Sequence, residues 1–243
     1  MMLTGQKRIL IIGASSGIGK CCAEQLIRKG HIVAIAARRV RPLMEIRRLD
    51  SSRVFVRRID VCNRQTAIKR INELIKAMGG CDIYLHSSGT GFINHSLRWQ
   101  PEKETIDTNI NGFTALIMHM YKYFVKQGHG QIAAITSVAG IRANRYAPVY
   151  SSSKAYQIAL LAALRAKAWH DKCPITITDI RPGFVDTAMA GGNRLFWVAT
   201  PQKAAKQIIC AIEKRKTIIY ITRRWILIGW LMRVLPERLM ARL

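Results

Sequence analysis

Acidic side chains are scarce in this sequence: 14 Asp and Glu stand against 39 Lys and Arg, a formal charge of +25. Such a balance points toward acidic partners, such as nucleic acid, anionic lipid or phosphorylated cofactors, and carries no information about fold. Between Arg38 and Arg70, eleven basic residues meet only Glu45, Asp50 and Asp60; the plain reading of that stretch is a solvated basic surface. Cys21, Cys22, Cys62, Cys81, Cys173 and Cys210 have neither the regular spacing of a disulfide framework nor the paired spacing of a zinc site. Buried thiols in a reducing compartment are expected. The histidines form no ligand pattern, so no metal is expected. No apolar run approaches the ~20 residues that span a bilayer. Met1 to Lys7 lack the apolar core and cleavage site of a secretory signal, so a cytoplasmic location is the expectation. Linkers, low-complexity tracts and fixed-period repeats are also missing, and nothing divides the chain.

What is there fits one α/β domain. With 243 residues, 49% of them hydrophobic, the chain can bury a sizeable core and is not largely disordered. Short β-branched runs at Arg8 to Ile12, His31 to Ala37, Val54 to Ile59, Asp82 to His86, Gln131 to Thr136, Ile175 to Ile180 and Thr217 to Ile221 read as buried strands. Helical periodicity separates them, at Ile18 to Lys29, Pro42 to Leu49, Arg64 to Met78, a long helix ending near Gln127, Pro148 to Trp169 and Pro201 to Lys214. Parallel strands need crossover connections, so the alternation predicts a doubly wound parallel sheet, a Rossmann fold with helices on both faces, over 1–222. A helical apolar and basic extension follows over 223–243.

Gly13-Ala-Ser-Ser-Gly17-Ile-Gly19 lies between the first strand and the first helix. Glycines there let backbone approach a pyrophosphate while the helix N-terminus offers unpaired N–H groups. The second strand ends Ala36-Ala37-Arg38-Arg39, where an NAD-binding protein places a carboxylate for the ribose hydroxyls. A guanidinium suits a 2′-phosphate instead, so Arg38, with Arg39 as second candidate, argues for NADP(H). Farther on, Tyr150 and Lys154 stand four apart on one helical face. A free phenol has a pKa near ~10 and needs a neighbouring positive charge to exchange protons near neutrality. Tyr146 and Tyr156 have no lysine four residues on.

The G-x-x-x-G-x-G spacing and the Tyr150–Lys154 pair resemble the short-chain dehydrogenase/reductase family, over Arg8 to about Ile221. The resemblance implies cofactor contacts from Gly13, Ser15, Gly17, Ile18 and Gly19, from Asp60 and Val61 at the adenine, and from Gly89. It also implies contacts from Pro182, Gly183, Val185 and Thr187 at the carboxamide, and from Tyr150 and Lys154 themselves. Ser137, thirteen residues before Tyr150, matches the family serine that bonds substrate oxygen, and Asn109 the asparagine that positions a relay water. The family usually carries Asn-Asn-Ala-Gly where this chain has His86-Ser87-Ser88-Gly89; His86 reads as a hydrogen-bonded core histidine in place of a bracing Asn.

The implied activity is hydride exchange between NADP(H) and a carbonyl or alcohol carbon. The contrasting reading is an NADP-binding redox sensor or nucleic-acid-binding module. In the family, Met189 to Trp197 closes over substrate: Phe196 and Trp197, opposite Phe92 and Ile93, suggest an apolar carbonyl substrate, and Gly191 and Gly192 permit movement. Small residues Ala155, Ala159, Ala162 and Ala163 on the Tyr150 helix suit a homodimer, as in the family. The C-terminal stretch, with Trp225, Trp230 and five arginines, reads either as an interfacial membrane helix or as packing against the substrate lid or a neighbouring subunit.

Overall fold

The computed structural model describes residues 5–142, 144–187 and 197–234. The elements run β1 (Arg8–Ile12), α1 (Gly17–Arg28), β2 (Ile32–Ala37), α2 (Arg41–Arg47), β3 (Val54–Arg58), α3 (Arg64–Ala77), β4 (Ile83–His86), α4 (Trp99–Ile106), α5 (Phe113–Gln127), β5 (Gly130–Ile135), α6 (Pro148–His170), β6 (Ile175–Pro182), α7 (Pro201–Glu213), β7 (Ile218–Ile221) and α8 (Trp225–Val234). A π-helical segment, Asp107–Gly112, joins α4 to α5. The boundary expected between 222 and 223 falls in the turn from β7 to α8.

All strand pairs are parallel, in the order β3-β2-β1-β4-β5-β6-β7. Side chains alternate faces along a strand, and in β1 both faces are covered. Ile9 and Ile11 pack with Leu26 and Ile27 of α1 and Ile208 and Ile209 of α7, whereas Leu10 and Ile12 pack with Ile71 of α3, Leu116 of α5 and Leu161 of α6. That is why the strand reads as an unbroken apolar run rather than an alternating one. The winding reverses between β1 and β4, which opens a crevice beyond their C-terminal ends.

Of the cysteines, Cys21, Cys22 and Cys81 are buried as expected, but Cys62 and Cys210 are exposed and Cys173 is half-buried. The expectation of six buried thiols is corrected: Cys62 follows the β3 strand end and Cys210 lies on the outer face of α7, so neither reaches the core.

One ion pair lies inside the apolar frame. Asp179 and Arg181 of β6 meet at 2.7 Å with side chains 0% and 3% exposed. Thr136 Oγ1 donates to Asp179 Oδ1 at 2.6 Å, and Arg181 reaches Tyr220 Oη at 3.1 Å. Removing one partner of such a pair strands the other in a medium that cannot solvate it. Asp179→Ala is therefore expected to lower the unfolding free energy in urea by about 3–5 kcal/mol; a loss below about 1 kcal/mol, the range of an exposed pair, would contradict this account.

Candidate active site

The loops after β1, β4 and β6 meet at the crevice. Gly13 has φ +88°, and a Cβ there would lie 2.6 Å from backbone atoms of Ser87 and Ser88. A Cβ on Gly19 would overlap the Gly13 carbonyl oxygen and sit 2.8 Å from Ser87 Oγ. Gly17, at φ +55°, faces the Thr187 methyl, 3.2 Å from where its Cβ would be. No side chain but hydrogen fits at Gly13 and Gly19. Ser16, at the N-cap of α1, makes no side-chain cap bond, so the first N–H groups of the helix stay available for an anion. Ser15 and Ile18 belong to the same turn, and Ile18 also packs against the core.

At the end of β2 the two arginines part. The Arg39 guanidinium bonds Ser16 Oγ at 3.0 Å and Ser15 Oγ at 3.4 Å, fastening itself to the glycine loop. Arg38 is 59% exposed in its side chain and lies 3.9 Å from Glu104 of α4. Asp60 takes the Cys62 N–H on its carboxylate at 3.0 Å, and buried Val61 presses its carbonyl against Gly112, which has room for no Cβ.

Ser137, Tyr150 and Lys154 converge beyond β5. Ser137 caps a short 3₁₀ turn, its Oγ accepting from Ala139 N at 3.1 Å. Burial pushes the Tyr150 phenol above its ordinary pKa, and a hydrogen bond with Ser137 pulls the other way. The Tyr150 ring fills the space a side chain on Gly91 would need. Lys154 is 4% exposed, its Nζ 5.8 Å from the Tyr150 ring centre. Desolvation pulls this ammonium down to about 8, against the stabilising charge of Asp179. Gly89 lies beside the cluster: a Cβ there would sit 3.4 Å from both Lys154 Nζ and Asn109 Oδ1.

Asn109 lies in the π-helical segment and is fully buried. Its Oδ1 takes the Thr90 N–H at 2.9 Å, and its Nδ2 donates to Thr90 O at 2.7 Å and to Ser153 Oγ at 3.0 Å. The side chain thus pins the loop after β4 to α6. Its backbone carbonyl is met by Gln157 Nε2 at 2.9 Å, and Gln157 Oε1 accepts from Lys154 Nζ at 3.0 Å. Thr90, Gly91, Ser153 and Gln157 were not anticipated from the sequence. Only Gln157 carried a signal, its i+3 spacing from Lys154.

On the far side, Gly183 lies flat beneath the indole of buried Trp225, which fills the place of its missing Cβ. Trp225 meets Phe184 edge-on at 5.4 Å and Trp197 at 6.2 Å. Pro182 ends β6, and Val185 is buried and pairs with Ala199. Phe92 is 37% and Ile93 61% exposed. Met189, Gly191, Gly192 and Phe196 lie outside the described residues, as does 235–243. Among the described residues no cluster of His, Cys, Asp and Glu has metal-site geometry.

Fold and site together define a doubly wound α/β protein whose crevice gathers Ser137, Tyr150 and Lys154. The short chain dehydrogenase family model matches residues 7–195, and the chain belongs to that family. An uncharacterized oxidoreductase from Mycobacterium tuberculosis is 30% identical over 99% of both chains, and another from Myxococcus xanthus is 30% identical over 76% of this chain and 74% of its own. Among solved structures, a short-chain dehydrogenase from Streptomyces avermitilis superposes with TM-score 0.80 at 20% identity, covering 93% of each chain. ElxO with NADP bound gives 0.76 at 23% identity, covering 89% of this chain and 97% of its own.

His86 is a core residue, 1% exposed, with Nδ1 2.8 Å from Tyr84 Oη and its ring edge-on to Phe113 at 5.0 Å. Burial, helped by the charge of Lys154, pushes its pKa down to about 3. The unfolded chain therefore takes up a proton below about 6.5 that the folded chain refuses, and stability falls as pH drops from there toward 3. Against His86→Asn, the wild type is expected to lose roughly 1.4 kcal/mol per pH unit in that window; parallel pH-stability curves for the two proteins would refute this.

Proposed function

We propose that this chain is an NADP(H)-dependent reductase of an apolar carbonyl compound, with Tyr150 delivering the proton. The observation that carries the reading is the buried Lys154 ammonium, held beside Tyr150 and Ser137 at the mouth of the doubly wound sheet. The backbone crowding at Gly13 and Gly19 fits a dinucleotide, since those positions keep side chains out of the crevice. Asp60, Val61, Pro182, Val185 and Thr187 complete the cofactor frame.

The cofactor supplies the hydride when bound; the protein supplies orientation and protons. Ser137 holds the substrate oxygen and polarises the carbonyl. Tyr150 gives its phenolic proton to that oxygen, and the positive charge of Lys154 stabilises the phenolate left behind. Lys154 would also hold the nicotinamide ribose. Arg39, bound to the loop serines, together with Arg38 would give a 2′-phosphate two guanidinium partners where a carboxylate would repel it. ElxO, a neighbour in fold, is described with NADP bound, in keeping with this choice.

Phe184, Trp197, Trp225 and, from the opposite loop, Phe92 favour an apolar substrate. Ala155, Ala159, Ala162 and Ala163 are exposed along α6 and suit close packing in a homodimer. The two readings of the C-terminal stretch apply to two faces of α8. Trp225 packs inward, while Ile226, Leu227 (71% exposed), Trp230 (64%) and Leu231 face outward beside Arg223 and Arg224. No described helix is long and apolar enough to cross a membrane, and the outward face suits peripheral contact with an anionic lipid surface.

Wild type is expected to oxidise NADPH over a panel of short- and long-chain ketones and aldehydes, and to use NADH at least tenfold less well. Tyr150→Phe should lose turnover while still binding NADPH, and Arg38→Ser with Arg39→Ser should narrow the cofactor preference. NADPH binding without reduction of any carbonyl would favour the sensor reading, and a preference for NADH would refute the arginine assignment. For the lipid contact, wild type should sediment with phosphatidylserine vesicles at 0.15 M salt and Leu227→Glu/Trp230→Glu should remain in the supernatant; equal sedimentation of both proteins would remove the membrane reading.

A further inference from the structure

Lys154 and Asn109 are joined by a third side chain. Gln157 lies one helical turn beyond Lys154 on α6 and is 0% exposed. Its Oε1 accepts from Lys154 Nζ at 3.0 Å, and its Nε2 donates to the Asn109 carbonyl at 2.9 Å. The amide orientation is forced: an ammonium can only donate and a carbonyl can only accept, so the reversed amide would leave both ends repelling. The Asn109 carbonyl is within reach because the π-helical turn over Asp107–Gly112 departs from the regular ladder. Ile135 O takes a second proton of Nζ at 3.2 Å. Of three ammonium donors, two are thus committed to protein acceptors, leaving one for the cofactor side.

We infer that Gln157 is a positioning residue that fixes the Lys154 ammonium and holds it charged by bridging it to the Asn109 backbone. The inference rests on the reading of Lys154 as the charge that serves Tyr150.

Desolvation already draws the Lys154 ammonium down to about 8, and each hydrogen-bond acceptor it keeps favours the charged form. The deciding measurement is an NMR titration of the lysine ε-methylene groups in cofactor-free protein, with Lys154 assigned by its absence from Lys154→Arg. Loss of a hydrogen bond to a charged group corresponds to a fall of about one to two pH units, which is the shift expected for Gln157→Met. Gln157→Glu, which places a carboxylate beside the ammonium, should move Lys154 upward. An unchanged Lys154 titration in a folded Gln157→Met protein would overturn the inference. Should that variant fail to fold, a Gln157→Glu protein whose Lys154 does not titrate higher would overturn it equally. Carbonyl reduction by the wild type, measured separately, decides the proposed function: a protein without turnover would end that reading while the titration still decides Gln157.

Discussion

An ammonium taken out of water must find acceptors or surrender its proton, and much of this site follows from how Lys154 meets that condition. Its charge is held by the Ile135 carbonyl, by Gln157 and, at longer range, by Asp179. Asp179 is itself fixed by Arg181 and Thr136, so the electrostatics of the site are continuous with a charged pair in the sheet interior. Tyr150 lies beside this arrangement, and burial alone makes its phenol a weaker acid. The site is therefore a compensated defect in an otherwise apolar frame, and its compensation is drawn from β5, β6, α6 and the π-helical segment together.

The second constraint is steric. Where the winding reverses, the loops after β1 and β4 approach until only hydrogen fits between them, at Gly13 and Gly19. Thr187, from the loop after β6, touches the same turn at Gly17. Three loops distant in sequence thus come together at the N-terminus of α1, where its dipole is positive. The basic surface contributes at its edge, where Arg39 ties the glycine loop to the end of β2.

Much of this was legible because it depends on local order. The strands announced themselves by continuous apolar runs, and Tyr150 and Lys154 by helical spacing. Gly13, Gly17 and Gly19 stood out by their place after the first strand. What escaped depends on contacts between distant segments. Gln157 shows only its i+3 spacing from Lys154 until α6 is set against Asn109, and six residues of π-helix leave no periodic trace in sequence. Sequence order ranks Arg38 ahead of Arg39, yet it is Arg39 that turns to the loop serines and Arg38 that lies beside Glu104. The exposed Cys62 and Cys210 show the same limit, since cysteine type alone favours burial but topology put these two outside.

Trp225 seats itself on Gly183 from the last described helix of the chain. A chain made from its N-terminus has its glycine loop, its Tyr150 helix and most of its sheet before α8 leaves the ribosome. The glycine loop and the Tyr150 helix can therefore organise first, and the aromatic wall beside Phe184 and Trp197 is completed when Trp225 follows. Synthesis itself imposes an order in which the crevice is built open before that wall is added, and a chain cut before Trp225 would keep its glycine loop while losing the indole.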